Sequence, residues 1–347
     1  MFSKLKNFFL RFLPVSKKTF NKVIDEQKKV MKSLMVDLAV KEHIYFKEYF
    51  SEYKPLKLGN ETENYIAKDK KGSTFFIKLY FNEKINENLM KILELQQIIC
   101  RLEGQGLPVL PYVNYGVSPR GVYSVYEWID GQTLLAVLSK CTDKEKYQLG
   151  EKLGVTLRSL HDNNPAPNDY ATRKWKAWVT SSVERYIDKY QKSKRSYEGD
   201  SHIIKHLRNN RSLLDERPLS LIHGDCNSRN VMVSKGGDIT LIDFPLWMNR
   251  NRYYDPYYDL RDIYIYPLCP HFLTGYINGY TNSQPDDLFW QLLCYYSYTR
   301  YLKVALSQSR KSSYNTRYLQ SLYMSFQNTS GFHPTWYLGE RASSEYK

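Results

Sequence analysis

Leu221-Ile222-His223-Gly224-Asp225-Cys226-Asn227-Ser228-Arg229-Asn230-Val231 is the most informative stretch of this chain, and Thr240-Leu241-Ile242-Asp243-Phe244 completes it. A carboxylate at 225 and an amide at 230 share one loop. A second carboxylate, at 243, ends a short apolar strand. Phosphoryl transfer asks for this set: a base or orienting group beside the attacking hydroxyl, and hard oxygen ligands for Mg²⁺ on the nucleotide phosphates. Asp225 and Asn230 can meet both needs from one loop, and Asp243 can bridge to the metal.

Upstream, the pattern is that of a small sheet. Tyr53–Leu58, Asn64–Lys68 and Thr74–Tyr80 read as strands joined by turns at Gly59–Glu63 and Asp69–Gly72. A helix follows over about 85–103, with Leu89, Ile92, Leu95, Ile99 and Leu102 at 3–4 spacing, and Gly104 and Gly106 end it. Val109–Tyr115 and Val122–Glu127 add two strands around Ser118–Gly121. After Trp128 the chain turns helical, over Leu134–Ser139, Lys144–Leu160, Trp175–Ser193 and His202–Leu214. A β-rich interruption comes at 220–244, helices resume over about 257–327, and the tail from about 329 reads as polar and loosely held. The expected class is α+β: a five-stranded antiparallel sheet lobe and a larger, mainly helical lobe. The boundaries fall at an N-terminal extension over 1–50, a first lobe over 51–127 and a second over 128–347.

His-Gly-Asp, an Asn five residues after that Asp, and a strand ending in Asp-Phe resemble the aminoglycoside phosphotransferase and choline kinase family, relatives of protein kinases. The resemblance covers roughly 51–327 and implies a bilobal protein-kinase-like fold, with ATP and Mg²⁺ as cofactors. It gives Asp225 the catalytic role and makes Asn230 and Asp243 the metal ligands. Phe75-Phe76-Ile77-Lys78 resembles the strand whose lysine holds the α- and β-phosphates, and Glu94 is placed to pair with Lys78. Tyr126-Glu127-Trp128-Ile129-Asp130-Gly131 resembles the hinge that meets adenine, so Glu127 and Trp128 join the nucleotide site. Leu160-His161-Asp162 resembles the Leu-His ending a long helix. Asp255-Pro256-Tyr257-Tyr258-Asp259-Leu260 resembles the family's G-D-P-x-x-D-L, where Asp259 would brace the catalytic loop. Three features depart from the pattern: the phosphate-covering turn has the single Gly59, Pro245 follows Phe244 where a glycine is usual, and Asn227 replaces the lysine of many protein kinases. Arg229 is a candidate for the missing positive charge.

Composition sets limits on partners. The 347 residues carry 50 Lys+Arg against 36 Asp+Glu, a formal charge of +14. Such a balance attracts anions, yet no nucleic-acid motif accompanies it, and nucleic acid is not expected as a partner. A polycationic aminoglycoside or choline fits this charge poorly, whereas an anionic or sugar acceptor fits well. Trp247, Arg250, Arg252, Tyr253, Tyr254, Tyr257 and Tyr258 can stack on a sugar and clamp an anion, or form a tyrosine-rich surface loop. The five cysteines are widely spaced and form no C-x-x-C pair, which fits a reducing compartment.

Residues 2–13 read as an amphipathic helix, with Phe2, Leu5, Phe8, Phe9 and Phe12 opposite Lys4, Asn7 and Arg11. It either lies on the inner face of an anionic membrane or docks on the protein body. A second helical run covers 19–46. No stretch reaches the ~18 apolar residues of a membrane span, and the expected location is cytoplasmic. His202 and His206 are spaced as a metal pair but lack the Glu of H-E-x-x-H, so they read as a solvated helix face. The activity expected is ATP-dependent transfer to a small-molecule hydroxyl, such as a sugar of a cell-surface glycolipid or polysaccharide. The alternatives are a Ser/Thr-type protein kinase, for which the stretch from Asp243 to Asp255 is short, and a non-catalytic nucleotide-binding scaffold.

Overall fold

The computed structural model describes residues 50–56, 62–81, 85–118, 121–167, 170–246, 252–262, 269–307, 313–327 and 332–339. The expected helices over 2–13 and 19–46, the Gly59 end of the first turn, Trp247 and Arg250 lie outside these residues. The chain divides into two units. One holds the described residues up to Arg101 together with Leu110–Trp128, and the other holds Leu102–Val109 and everything from Ile129 onward.

The first unit is built on one antiparallel sheet. Its strands are β1 (Phe50–Leu56), β2 (Thr62–Asp69), β3 (Thr74–Phe81), β4 (Tyr112–Ser118) and β5 (Gly121–Glu127), in the order β1-β2-β3-β5-β4. Side chains alternate along β3, so Phe75, Ile77 and Leu79 share one face and form a core with Phe50, Ala67, Tyr123 and Val125. Lys78 therefore stands on the opposite face. The β2–β3 turn closes as its residues dictate. Asp69 Oδ1 accepts the Lys71 and Ser73 N–H groups at 2.9 and 2.8 Å, and Gly72 takes the left-handed backbone the turn needs. Helix α1 (Ile85–Gly104) buries the five apolar residues expected from its periodicity.

One strand boundary differs from the reading of the sequence. Val109 does not belong to β4, which starts at Tyr112. It makes a parallel bridge to Leu241 in the second unit, and Leu241 N–H donates to Pro108 O at 2.8 Å. Pro108 and Pro111 have no N–H to give to a ladder, and they free the intervening residues from the sheet.

The second unit begins with β6 (Gly131–Thr133) and the short helix α2 (Leu134–Leu138). Helices α3 (Asp143–Asp162), α4 (Tyr170–Lys192) and α5 (Asp200–Asn209) follow. Next come β7 (Ser220–Leu221), β8 (Val231–Ser234), β9 (Ile239–Leu241) and β10 (Tyr253–Tyr254), then the 3-10 segment Pro256–Asp262. Helices α6 (Pro270–Thr281), α7 (Asp287–Ser307) and α8 (Ser313–Met324) complete the unit. Strands β6, β8 and β9 form a three-stranded sheet, and β7 pairs with β10. Helix α3 opens on a capping box in which Glu145 N–H donates to Thr142 Oγ1 at 3.3 Å and Thr142 N–H donates back to Glu145 Oε2 at 2.7 Å. The predicted helix over 202–214 breaks instead at Asn210, whose amide donates back to His206 O at 2.9 Å, and a 3-10 turn at Arg211–Leu214 replaces its last part.

Helices α3 and α6 meet through glycine. A Cβ placed on Gly150 or Gly154 would strike backbone atoms of Phe272, Tyr276 and Gly279, and one on Gly275 or Gly279 would strike Tyr147 and Glu151. Both helices carry glycines four residues apart, so the two stripes face each other and the backbones touch. Asn278 donates to Tyr147 Oη at 3.1 Å across the same seam.

Two expectations are corrected here. His206 is buried rather than solvated, with its ring against Tyr298 and Phe332 at 5.1 and 5.4 Å. The tail is pinned over Phe332–Gly339: Trp336 is buried, Tyr337 Oη donates to Asn278 Oδ1 at 2.8 Å, and Leu338 N–H donates to Thr274 Oγ1 at 3.1 Å. In both places aromatic packing outweighs local polarity.

Candidate active site

The loop 222–230 is held at both ends by strand pairing. At its start Tyr253 pairs with Leu221, and Ile222 N–H extends that pairing to Arg252 O at 3.0 Å. At its end Val231 pairs with Leu241, and Ile242 N–H carries the β8–β9 ladder one step further, to Asn230 O at 3.0 Å. Asn230 and Asp243 thus come to the same end of one hairpin, which is what their separation in sequence leaves undecided.

Within the loop, Asn230 binds Asp225. Its Nδ2 donates to the Asp225 carbonyl at 2.9 Å and to Oδ2 at 3.0 Å. Asn227 donates to the same carbonyl, N–H at 2.9 Å and Nδ2 at 3.2 Å. With the Asn230 nitrogen committed, its amide oxygen is the end suited to a cation. Asp225 and Asn230 are half-buried and Asp243 is exposed. Asp243 has φ +60°, a left-handed backbone rare outside glycine but tolerated by Asp. Among the described residues no group of three or more His, Cys, Asp and Glu forms a metal cage. A carboxylate and an amide suit Mg²⁺, which takes few protein ligands and keeps water and phosphate oxygens for the rest.

Two buried residues hold this arrangement from behind. His223 Nε2 donates to Ile242 O at 2.9 Å, while Nδ1 accepts the Asp225 N–H at 3.3 Å, so the ring links the residue before Asp243 to Asp225 itself. One donor and one acceptor describe a neutral imidazole, and burial lowers the His223 pKa in the same sense. Its ring lies 4.2 Å from that of Phe244. Asp259, fully buried, accepts the His223 N–H through Oδ2 and the Gly224 N–H through Oδ1, both at 2.7 Å. Gly224 has φ +90°, which turns its N–H inward and favours glycine there. His161, at the end of α3, approaches Asp259 Oδ2 with Nε2 at 3.2 Å, and its Nδ1 lies 2.9 Å from Tyr280 Oη on α6. A carboxylate only accepts, so Nε2 carries the proton and Tyr280 donates to Nδ1. Burial would raise the Asp259 carboxyl, but the hydrogen bonds from His161 and the Gly224 N–H hold it below its ordinary value.

Asp255 is a third buried brace. It accepts Arg217 Nε at 2.6 Å, Tyr296 Oη at 2.8 Å and the Tyr257 N–H at 3.0 Å. Arg261 donates Nη2 to Gly224 O at 3.3 Å and stacks on Tyr258. The tyrosines of 253–258 are thus not a surface loop: Tyr254 is buried, and Tyr257 and Tyr258 are half-buried in aromatic contacts. Cys226 is buried, and Arg229 is exposed.

The nucleotide residues named from sequence lie in the first unit. Lys78 pairs across the sheet with Asn64 and Ser124, both buried polar residues, and its ammonium sits 5.6 Å from the centre of the Tyr80 ring. Glu94 lies on the exposed side of α1. Glu127 and Trp128 are exposed at the end of β5, where Glu127 N–H donates to Pro111 O at 3.1 Å. Sequence reasoning missed Arg217, Arg261, Tyr280 and the glycine seam. The seam had a readable signal, glycines at i and i+4 in two predicted helices.

Solved structures share this fold. The aminoglycoside-3'-phosphotransferase of type VIII matches at 16% identity, over 77% of this chain and 98% of its own, with a TM-score of 0.51. The macrolide 2'-phosphotransferase type I matches at 13% identity, over 79% and 90%, with a TM-score of 0.52. A macrolide 2'-phosphotransferase from Brachybacterium faecium matches at 13%, over 86% and 99%, with a TM-score of 0.51. At such identities the likeness is one of fold. No curated protein matches the sequence. The family model described as the phosphotransferase enzyme family, APH, matches residues 52–291, and the chain therefore belongs to that family of enzymes, which transfer a phosphoryl group to a hydroxyl.

Proposed function

We propose that this enzyme moves the γ-phosphoryl group of ATP to a hydroxyl of a small, sugar-like or anionic acceptor. The observation that carries the reading is the bracing of Asp225. Asn230 holds its side chain, His223 holds its N–H, and Asp259 holds the two residues before it. A carboxylate fixed in this way can orient an acceptor hydroxyl and take its proton as the oxygen attacks. Asn230 and Asp243 are the residues that would hold Mg²⁺. The ion, when bound, neutralises charge on the phosphates. Lys78, with Glu94 as its partner, would meet the α- and β-phosphates, and Glu127 and Trp128 would border the adenine.

The charge of +14 supports an anionic or sugar acceptor over a polycation. A sugar of a cell-surface glycolipid or polysaccharide is the acceptor we favour. That choice fits an enzyme on the cytoplasmic side, with residues 2–13 resting on the inner face of the membrane. Among the described residues no helix is long and apolar enough to cross a membrane. A nucleotide-consumption screen over sugars, phosphorylated sugars, amino alcohols and peptides tests the reading, with Asp225→Ala as control. Turnover confined to sugar-like acceptors and lost in the variant supports it. Equal turnover in the variant would sink the mechanism, and transfer to choline or an aminoglycoside alone would sink the acceptor class.

A further inference from the structure

We propose that Cys141 and Cys269 are a redox-active thiol pair, a modification site at which a small disulfide oxidises the two side chains to an intramolecular disulfide.

The glycine seam brings the pair together. Gly150 meets the backbone of Phe272 and Tyr276, and four residues later Gly154 meets that of Tyr276 and Gly279. The contacts advance in the same direction along both helices, so α3 and α6 run parallel and their N-termini lie at the same end. The close approach persists to their first turns, where His271 Nδ1 lies 3.4 Å from Asp143 Oδ1. Cys141 stands two residues before Asp143, and Cys269 two residues before His271. Cys269 is the N-cap of α6, and Cys141 precedes Thr142, the N-cap of α3. The two cysteines thus sit where the chain enters the two halves of one helix pair. A disulfide joins Cα atoms only about 4.4–6.8 Å apart, which takes backbones in close approach of this kind.

The electrostatics place the two sulfurs in one neighbourhood. Lys146, one turn into α3, acts on both thiols, and Cys141 acts on Cys269. Burial pushes both thiols above their ordinary value, with Glu145 adding to it at Cys141, and Lys146 opposes the rise at both. Both are free thiols and both are half-buried, within reach of a small reagent. Cys226 and Cys294 are free but buried, and Cys100 is exposed on α1.

The oxidation runs by thiol–disulfide exchange. The thiolate of one cysteine attacks a sulfur of the small disulfide and expels one small thiol. The other cysteine attacks the mixed disulfide and expels the second. Two protein thiols are oxidised to one disulfide, and the small disulfide is reduced to two thiols that carry off both protons. The new bond closes the long stretch between α3 and α6, which constrains the unfolded chain and stabilises the fold. It also ties the helix pair whose other ends carry His161 and Tyr280, the outer supports of Asp259. In a reducing compartment such a bond lasts only while oxidant prevails, which makes the pair a sensor.

Mass spectrometry of the purified full chain, after exposure to oxidised glutathione at pH ~8.5, where thiolate is available, tests the proposal. A peptide joined through Cys141 and Cys269 is expected in a non-reducing digest, with glutathione retained on Cys100 and on neither member of the pair. Cys141→Ser should abolish the link and leave glutathione on Cys269, because the resolving thiol is gone. Cys269→Ser should do the same to Cys141. The oxidised wild type should unfold at a urea midpoint about 1 M above the reduced protein, and neither serine variant should show the shift. Before oxidation both variants should melt at the wild-type temperature, and if one fails to fold the wild-type digest decides alone. Glutathione retained on both Cys141 and Cys269 with no link between them would overturn the pair. So would the absence of any reaction at either while Cys100 reacts.

Discussion

Asn230 donates its side-chain nitrogen to both the backbone carbonyl and the carboxylate of Asp225, at 2.9 and 3.0 Å. The amide is therefore a splint for the carboxylate as well as a candidate ligand, and the two residues should behave as one unit. Asp225→Asn keeps the shape and removes the charge, and turnover is expected to fall by about 10²–10⁴. Asn230→Ala should also reduce turnover strongly. The double variant should lose much less than the product of the two, as groups acting together do. Nucleotide consumption with a competent acceptor checks all three, and independent, multiplying effects would contradict the coupling.

Asp259 concentrates three hydrogen bonds on one buried carboxylate. Asp259→Asn replaces one acceptor oxygen with a donor and sets it against an N–H. Breaking this arrangement should lower stability by about 3–5 kcal/mol, the range for a disrupted buried charged group. Tyr280→Phe removes only the outermost bond, to His161, and should lower it by about 1 kcal/mol. Urea unfolding gives both numbers. A variant Asp259→Asn as stable as the wild type would show that the loop is held by something else.

The glycine seam makes a steric prediction. A methyl group on Gly154 or Gly275 meets backbone, which cannot rotate aside as a side chain can. The helices must separate, and their far ends carry His161 and Tyr280. Gly154→Ala and Gly275→Ala should each lose about 3 kcal/mol or more, at or beyond the upper range for overpacking. Gly104→Ala is the control, since a Cβ there has nothing within 4 Å. It should change stability by less than about 1 kcal/mol. Denaturant midpoints decide the matter.

Acid should act through histidine before it acts through Asp259. Burial, with His202 nearby, lowers the His206 pKa from 6.5 to about 4, and burial lowers that of His223 too. Between the folded and unfolded values the unfolded chain binds more protons, so stability is complete above pH ~6.5 and declines as pH falls toward ~4. His206→Phe removes one of these groups, and its melting temperature should depend less on pH over that window. Asp259 is also depressed, so its contribution is present above the unfolded carboxyl value near pH ~3.9 and is lost only below it. Parallel pH profiles for the wild type and His206→Phe would refute the assignment to His206.

Much of this protein was legible in its sequence. Strand alternation and helix periodicity are local, and they placed the five-stranded sheet and most helices within a few residues. The His-Gly-Asp loop and the Asp243 strand end were legible because Asp225, Asn230 and Asp243 lie within one short segment. Asp259 was named as a brace by resemblance, and the hydrogen bonds now give that role its physical content.

What the tertiary structure decided concerns residues far apart in the chain. Which donors gather on Asp259, how Tyr280 reaches it through His161, and where Arg261 meets Gly224 all depend on helices brought together by packing. The same holds for His206 and the tail, which look polar in sequence and are drawn in by aromatic neighbours from other elements. Local pattern fixes which face of an element is apolar. Only the packed chain fixes what that face meets, because close packing is a property of several elements at once.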